Sequence, residues 1–275
     1  TQANQQASTA LKQQNQGAFM LSNQNYAQAA AFYKTNNLWK QYIACNNQMA
    51  RNYWQMNKLD SSFAISKAIL DLPQLEANSL EQADAFSNAG VVCDKKSDFE
   101  TALKYFQKCL TIRKAKLGND HTETAKVYFN IGSCNSLQRK MGTAIEYYNN
   151  ALRILKKNLG PEHPMLITVY LSLQDPYTEL NKGPELREAL NEALKIAKKV
   201  YPPNHERIAS ITNALGILNS HSIETQDLGV KQAESSFATL LKTFGENDPE
   251  MIRHYTNMGT VSYTHLRAHE TKANL

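Results

Sequence analysis

Apolar positions along most of this chain recur three and four residues apart, which is the spacing of one face of an α-helix. Residues 99–110 read FETALKYFQKCL, and residues 141–152 read MGTAIEYYNNAL. The two segments align position by position, with apolar, small and aromatic residues at the same places. Each segment therefore predicts an amphipathic helix that buries one face.

The helical pattern repeats with a period of 42 residues. The phrase Leu-Gly-x-x-His ends at His121 and again at His163, and the next steps reach His205 and, one residue further on, Asp248. Two further offsets repeat with it: glycine at Gly90, Gly132, Gly216 and Gly259, and asparagine at Asn88, Asn130 and Asn257. A period of this length predicts one array of stacked helix pairs rather than two globular domains.

The pattern places most of the helices. Predicted pairs are 79–94 with 98–116, 122–138 with 141–158, 164–180 with 184–200, and 205–220 with 229–243, and a last helix begins near Asp248. Upstream, 38–56 and 59–70 predict another pair whose register the pattern does not fix. Residues 1–16 predict a frayed start or the first helix of an incomplete repeat. Pro176 lies inside a predicted helix, where proline predicts a kink or an early end.

Gly17 and Asn15 extend the repeat toward the amino terminus. Gly17, Tyr26, Ala29 and Tyr33 have the spacing of Gly90, Phe99, Ala102 and Phe106. Gly17 is therefore expected to correspond to Gly90 in an earlier, degenerate repeat, and Asn15 to Asn88.

Small residues at Gly132, Ala144 and Ala151, with aromatics at Tyr128 and Tyr148, resemble the tetratricopeptide helix-turn-helix repeat. The linker at 159–164 and the 42-residue unit resemble the kinesin light chain branch of that family. The resemblance implies an all-α fold, a right-handed superhelical solenoid of antiparallel helix pairs. It covers residues 57–260 well and the degenerate region 1–56 loosely.

Residues 261–275 differ from the repeat. VSYTHLRAHET, at 261–271, resembles one reading frame through a transposase-type sequencing adapter. We therefore expect 261–275 to be an assembly artefact rather than native sequence, and the chain to be a fragment of a longer protein.

Composition narrows the class of protein. Hydrophobic residues make up 42% of the chain, but no apolar run reaches the roughly 20 residues that a membrane helix needs. The amino terminus is polar, unlike a signal peptide, and the four cysteines have no metal-type spacing. We expect a cytoplasmic protein with reduced core thiols and no membrane association.

Charge does not suggest a nucleic-acid partner. The net charge is only +5, and lysines cluster where the second helices end, at Lys114, Lys116, Lys156, Lys157, Lys198 and Lys199. There they complement the negative end of the helix dipole, although a stripe for an acidic partner is the alternative.

Signatures of catalysis are missing from the sequence: it has no P-loop, no dinucleotide-binding glycine motif, no HExxH and no GxSxG. We expect no enzyme activity, no cofactor and no metal. His121, His163 and His205 belong to successive repeats, too far apart for one ion, so they are interpreted as structural turn residues. Asp98, Glu100 and Glu123 begin predicted helices and are interpreted as caps.

The candidate site is the face of the first helices. The resemblance implies that Asn88, Asn130 and Asn257 are groove amides that hold peptide main chain, flanked by Lys126, Phe129, Ser133 and Arg253. The offset departs at Ser172 and Ala214, although Asn213 is adjacent. Alternatively, these amides face solvent or bond a neighbouring helix. Kinesin light chain-like arrays are understood to take peptides with an aromatic residue flanked by acidic residues. Lys126 and Arg253 suit such a flank, whereas Asp84, Asp94, Asp175 and Glu179 oppose it.

Three functions follow as expectations. The first is a non-catalytic adaptor that binds a protein or peptide in the concave groove, as in the cargo-binding kinesin light chains. The second is the sensor or oligomerisation segment of a larger signalling enzyme, a nucleotide-switch ATPase or a protease. The third is a structural scaffold that binds no peptide.

Overall fold

The computed structural model describes the backbone of residues 1–220, 225–249 and 251–273, and their side chains except at 253 and 264–273. Within these residues the chain is all-α, as predicted, with fourteen helices and no strand. The helices are α1 Gln2–Asn15, α2 Phe19–Thr35, α3 Trp39–Gln55, α4 Leu59–Leu70, α5 Leu80–Lys95, α6 Phe99–Leu117, α7 Thr122–Leu137, α8 Met141–Leu159, α9 Met165–Ser172, α10 Gln174–Glu179, α11 Gly183–Val200, α12 Glu206–Ser220, α13 Gln226–Phe244 and α14 Met251–Ala273.

Helices that follow one another in the chain pack side by side. The chain divides into two compact units, Thr1–Ile154 and Leu155–Leu275. In the first unit, each helix from α1 to α6 packs against the next, and the first helices of neighbouring pairs, α3 with α5 and α5 with α7, also touch. In the second unit, α11 packs against α9, α10 and α12, and α13 lies against α12 and α14. The predicted helix pairs are confirmed.

Glycine allows the two helices of a pair to approach closely. A Cβ added at Gly90 would lie 2.6 Å from ring carbon Cε1 of Phe106, and one added at Gly132 would lie 2.8 Å from the Tyr148 ring. Both aromatic rings are buried. Because the ring occupies the space of the missing side chain, a larger residue at either glycine would push the pair apart. The repeated glycine therefore marks the contact between the helices of one pair.

A left-handed residue marks the turn inside each of the first five helix pairs and fixes their register. Gly17, Asn57, Ser97, Arg139 and Asn181 all have φ between +53° and +77°. The first three are 40 residues apart and the last three 42 apart, so the earlier units are two residues shorter. This assigns the register of the pair at 38–70, which the sequence pattern left open.

The same turn corrects the interpretation of Gly17. Gly17 has φ +77° in the turn after α1, so it corresponds to Ser97 and not to Gly90. The close approach in the first pair is at Ala10, whose carbonyl oxygen accepts a hydrogen bond from Ser22 Oγ at 2.8 Å. Asn15 is the last residue of α1 and does not correspond to Asn88, so its assignment as a groove amide was wrong.

The helix interruption near Pro176 is where the sequence predicted it. α9 ends at Ser172 and α10 begins at Gln174. Pro176 has no N–H to donate to the carbonyl of Ser172, and its ring would clash with that carbonyl in a continuous helix. Gln174 also occupies the position held by Gly132 and Gly216 in the adjacent repeats. Loss of the small residue and gain of proline thus fall at the same point.

The repeated histidines cap helices. Nδ1 of His121 accepts a hydrogen bond from the Glu123 N–H at 3.1 Å. His163 accepts one from the Met165 N–H at 3.2 Å, and His205 one from the Arg207 N–H at 3.1 Å. Each bond satisfies one of the free amide groups at a helix start. The predicted turn role of these histidines is confirmed.

Helix α14 includes residues 261–273, the part that resembles an adapter. The prediction that 261–275 is not native concerns the origin of the sequence rather than its conformation, and it stays a prediction. Residues 274 and 275 lie outside the described part of the chain.

Candidate functional site

Four of the predicted site residues form one stripe on α7. Lys126, Phe129, Asn130 and Ser133 are spaced three and four residues apart, so they lie on the same face of the helix. All four are half-buried. The Phe129 ring packs on Tyr148, with ring centroids 5.6 Å apart. We call these four residues the α7 stripe.

Asn88, at the same offset on α5, is engaged inside the protein. Its Nδ2 donates to the Asn47 carbonyl oxygen at 3.0 Å, and its Oδ1 accepts from the indole Nε1 of Trp54 at 3.3 Å. The residue is only 8% exposed. The alternative that the sequence left open, an amide bonded to a neighbouring helix, describes Asn88.

Asn257, in the second unit, is engaged in the same way. Its Nδ2 donates to Oδ1 of Asn213 at 2.8 Å, which joins α14 to α12. The residue adjacent to the expected offset, Asn213, is thus the one that takes part. The side chain of Arg253 lies outside the described residues.

Asn130 differs from both. Among the described residues, its side-chain amide has no hydrogen-bond partner, and neither does the Ser133 hydroxyl. An amide carries two donors and an acceptor that can take two bonds, so Asn130 can bond to a peptide group in both directions. The α7 stripe therefore contains the one uncommitted amide among the three predicted in the described part of the chain.

A regular contact between first helices explains the difference. We call the residue three before the left-handed turn residue the reaching position, and the residue nine before it the amide position. From the reaching position of α1, Gln14 Nε2 donates at 3.3 Å to Gln48 Oε1 at the amide position of α3. Trp54, at the reaching position of α3, donates to Asn88, at the amide position of α5.

The next such contact would join α5 to α7, but it is not formed. We call this place the open step, and we call the contacts made by Gln14 and Trp54 closed steps. Asp94 occupies the reaching position of α5, three residues before Ser97, and Asn130 occupies the amide position of α7. No hydrogen bond links their side chains in the described structure. A carboxylate is shorter than an indole or a glutamine amide, and when ionised it has no proton to donate.

Arg113 neutralises most of the charge beside the stripe. This buried arginine of α6 donates from Nη2 to Asp84 Oδ1 at 2.7 Å and from Nη1 to the Glu123 carbonyl oxygen at 3.0 Å. Lys126 Nζ lies 2.5 Å from Glu123 Oε1. Burial would raise the pKa of Glu123, but the hydrogen bond and charge of Lys126 and the charge of Arg113 hold it below its usual value. Sequence reasoning missed Arg113, whose only signal is a cation within the apolar pattern of α6.

Asp94 is the exception to this neutralisation. Its Oδ1 is buried and has no hydrogen-bond partner, and no ion pair to Asp94 forms within the described residues. Burial is the main cause that raises the pKa of the carboxyl, while a hydrogen bond from the neighbouring Cys134 thiol and the charge of Lys95 act in the opposite direction. The Cys134 Sγ points a hydrogen bond toward the Phe99 carbonyl oxygen, at 3.6 Å.

The cysteines are core residues. All four are buried and free. Burial raises the pKa of Cys45 to about 11 and that of Cys109 to about 12. For Cys134 burial and the Asp94 charge raise it to about 12. At neutral pH these thiols are therefore protonated and are poor nucleophiles.

Two further kinds of feature are absent from the part of the chain that the structure describes. No cluster of three histidine, cysteine or acidic side chains has the arrangement to hold a metal ion. In the same residues no helix is both long and apolar enough to cross a membrane.

The helix pairs, the close-approach glycines and the exposed first-helix face define a helical repeat protein. Residues 81–157 match the family model for the tetratricopeptide repeat. Residues 81–157 are therefore tetratricopeptide repeats, as the sequence pattern indicated. No curated protein matches the sequence.

Solved structures with this fold cover most of the chain. A Podosopora anserina protein described as a kinesin light chain with nearly identical TPR-like repeats shares 15% identity, covers 73% of this chain and 96% of its own, and has a TM-score of 0.61. The apo form of RapI shares 14% identity over 99% of this chain and 98% of its own, with a TM-score of 0.69. A Rap protein complexed with competence and sporulation factor shares 15% identity over 98% and 74%, with a TM-score of 0.67. At this identity the likeness shows the fold alone.

Proposed function

We propose that the chain is a non-catalytic adaptor that binds an extended protein segment across the α7 stripe. The observation that carries the proposal is the uncommitted amide of Asn130. The side-chain amides of Asn88 and Asn257 are hydrogen-bonded to neighbouring helices, whereas that of Asn130 has both its donor and its acceptor available. An amide on a half-buried helix face suits main-chain recognition, since it pairs with a peptide group whatever the side chains are.

The other stripe residues suit contacts with side chains. Phe129 offers an aromatic surface held in place by Tyr148, and the Ser133 hydroxyl can donate or accept. Lys126 is less available than the sequence suggested, because Glu123 already pairs with it. The acidic flank expected from the kinesin light chain resemblance therefore has weak support at Lys126, and we do not carry the cargo motif of that branch to this chain.

Known structures support a peptide partner. One Rap protein of similar fold was solved with competence and sporulation factor, and its likeness to this chain extends over 98% of the present sequence. We therefore propose a protein or peptide segment as the partner. The buried, free thiols fit a reducing compartment, and we propose the cytoplasm.

A second candidate is a regulatory sensor segment of a larger signalling protein. It is favoured by the likeness to the quorum sensor NprR, of which this chain covers 65%. Both candidates require peptide binding on the repeat face. They differ in the consequence of binding: an adaptor holds its partner, whereas a sensor segment regulates the larger signalling protein to which it belongs.

Peptide display followed by calorimetry tests the proposal. A random dodecapeptide library is selected on the full chain, and the enriched peptides are titrated into the parent and into Asn130→Ala. Losing the amide leaves a peptide group unpaired, which costs about 1–3 kcal/mol, or roughly 5- to 150-fold in affinity.

Asn150→Ala is the matched control. Asn150 is an exposed amide on α8 that bonds only to its own helix, at the Glu146 carbonyl oxygen. This variant should bind like the parent. Equal affinity of Asn130→Ala and the parent would refute the assignment of Asn130, and a library without enrichment on the parent would refute peptide binding.

A further inference from the structure

The second unit contains a hollow between α11 and the end of α12, which we call the α11 hollow. Its volume is about 670 Å³, within the usual range of ligand sites in proteins. Leu218 of α12 lines one wall. The wall on α11 is formed by Gly183, Pro184, Arg187, Glu188, Asn191 and Glu192. These positions have the spacing of one helix face, so a single face of α11 borders the hollow.

Two carboxylates of the α11 hollow have no partner. Glu188 and Glu192 lie about one helical turn apart, and within the described residues neither takes part in an ion pair or a hydrogen bond. Like charges at this spacing repel each other. Other acids of the second unit are paired, as Oε1 of Glu185 lies 3.8 Å from Lys182 Nζ. The acids of the hollow are therefore available to a cation from outside the chain.

The arginine of the α11 hollow is bonded to the opposite wall. Arg187 Nη1 donates to Oδ1 of Asn219, a buried residue of α12. Asn219 Nδ2 in turn donates to Gln232 Oε1 of α13 at 2.7 Å. These hydrogen bonds hold the guanidinium group on α12. The lining thus contains two unpaired acids and one engaged arginine, so its charge is complementary to a positive ligand.

The α11 hollow also has apolar surface. Leu218 is half-buried, and Pro184 is exposed in the first turn of α11. Lysine and arginine side chains pack an aliphatic stem on such surface while the charged end extends beyond it. Glu188 and Glu192 follow Pro184 by about one and two helical turns on the same wall. A basic side chain therefore matches both the apolar and the acidic part of the hollow.

We propose that the α11 hollow accepts a lysine or arginine side chain from a protein partner. The stem packs on Leu218 and Pro184, and the ammonium or guanidinium group binds the two carboxylates. Exposed ion pairs are weak by themselves, so a protein segment, whose neighbouring residues also contact the walls, binds better than a free cation. The α11 hollow lies in the second unit and the α7 stripe in the first, so this site does not rest on the proposed function.

The test selects a random dodecapeptide library on the full chain and on three variants. Glu188→Gln/Glu192→Gln removes both negative charges of the α11 hollow. Glu146→Gln/Glu234→Gln is the matched control, because these acids are exposed on α8 and α13 and neither lines the hollow. Asn130→Ala removes peptides that depend on the α7 stripe. We expect the parent, the control and Asn130→Ala to enrich basic peptides, and Glu188→Gln/Glu192→Gln not to enrich them.

Calorimetry then measures the affinity of one selected basic peptide. It should fall about 5- to 30-fold in Glu188→Gln/Glu192→Gln, because two partly exposed ion pairs are lost, and stay unchanged in the control. The thermal midpoint of Glu188→Gln/Glu192→Gln should equal that of the parent, since neither acid bonds to the chain. The free cation 1,4-diaminobutane, at the concentration of the peptide, should not displace it.

Each other outcome overturns the inference. A selection without basic peptides, or equal affinity of the basic peptide for Glu188→Gln/Glu192→Gln and the parent, shows that the hollow is not its site. A lower thermal midpoint shows that the two acids serve the fold, and displacement by 1,4-diaminobutane shows that a free cation is the ligand. Basic peptides that are lost with Asn130→Ala bind at the α7 stripe, which supports the proposed function and refutes the second site.

Discussion

Asn88 and Asn130 occupy the same position in adjacent repeats, yet only one of them is free. Each lies two residues before the glycine that lets its helix pair close, Gly90 or Gly132. Asn88 donates to α3 and accepts from Trp54, whereas Asn130 has no partner in the described structure. The repeat itself therefore does not decide whether a first-helix amide is available.

The deciding residue lies on the preceding first helix. Trp54 reaches Asn88 because an indole extends its N–H well beyond the helix surface. Asp94, at the corresponding position before Asn130, has a short side chain without a proton to donate when it is ionised. In these two repeats the side chain at the reaching position therefore decides whether the amide of the next first helix is bonded.

The largest effect expected is on stability, from Asn88→Ala. Loss of this amide removes two hydrogen bonds and leaves the partly buried Trp54 N–H without its acceptor, which costs about 1–3 kcal/mol of unfolding free energy. Asn130→Ala at the equivalent position should cost under about 0.5 kcal/mol, since no contact is lost. Urea unfolding of the two variants measures the difference. Equal losses would show that the two amides are in the same state in solution.

A smaller loss is expected for Trp54→Phe, which removes the indole N–H that Asn88 accepts. We expect a loss of about 0.5–1.5 kcal/mol from the hydrogen bond. Trp39→Phe controls for the lost ring volume, because Trp39 packs edge-on against Tyr42 and its indole N–H bonds to nothing in the described residues. Denaturant midpoints should fall further for Trp54→Phe than for Trp39→Phe. The reverse order would contradict a stabilising hydrogen bond between Trp54 and Asn88.

Asp94→Gln should convert the open step into a closed one. Glutamine at this position would copy the contact of Gln14 with Gln48 and donate to the Asn130 side chain. The new bond should stabilise the protein by up to about 1 kcal/mol and reduce binding of any peptide that uses Asn130. Asp94→Asn removes the same charge with a shorter amide, so thermal unfolding of the two variants separates the new bond from the lost charge.

The smallest effect is a pH dependence of opposite sign at two acids. Burial raises the pKa of Asp94 above the roughly 3.9 of an unfolded aspartate, so the folded state holds more protons and the contribution of Asp94 to stability falls as pH rises. Glu123 has a lowered pKa, so its contribution is present above about pH 4.3 and is lost as pH falls.

Unfolding free energies between about pH 3 and pH 8 check both signs. The advantage of Asp94→Asn over the parent should be absent at the acidic end and reach a plateau at higher pH. Glu123→Gln should match the parent at the acidic end and be less stable at neutral pH. A Glu123→Gln variant that is as stable as the parent at pH 7 would contradict the network around Arg113.

The sequence by itself determined the helix pairs and their order. Spacings of three and four residues locate helices because side chains must share a face to be buried. Gly90 and Gly132, 42 residues apart, mark the close approach within their helix pairs because a side chain there would collide with the partner helix. It also predicted the interruption at Pro176 and the turn role of His121, since both depend on groups within a few residues of one another.

Only the tertiary structure decided which amides are committed. Asn88 and Trp54 are 34 residues apart, and their contact depends on how two first helices pack, which no local spacing encodes. The role of Arg113 was hidden for the same reason, because its ion network joins residues of three helices. Local periodicity fixes where helices form, and packing between them fixes which polar groups remain for a partner.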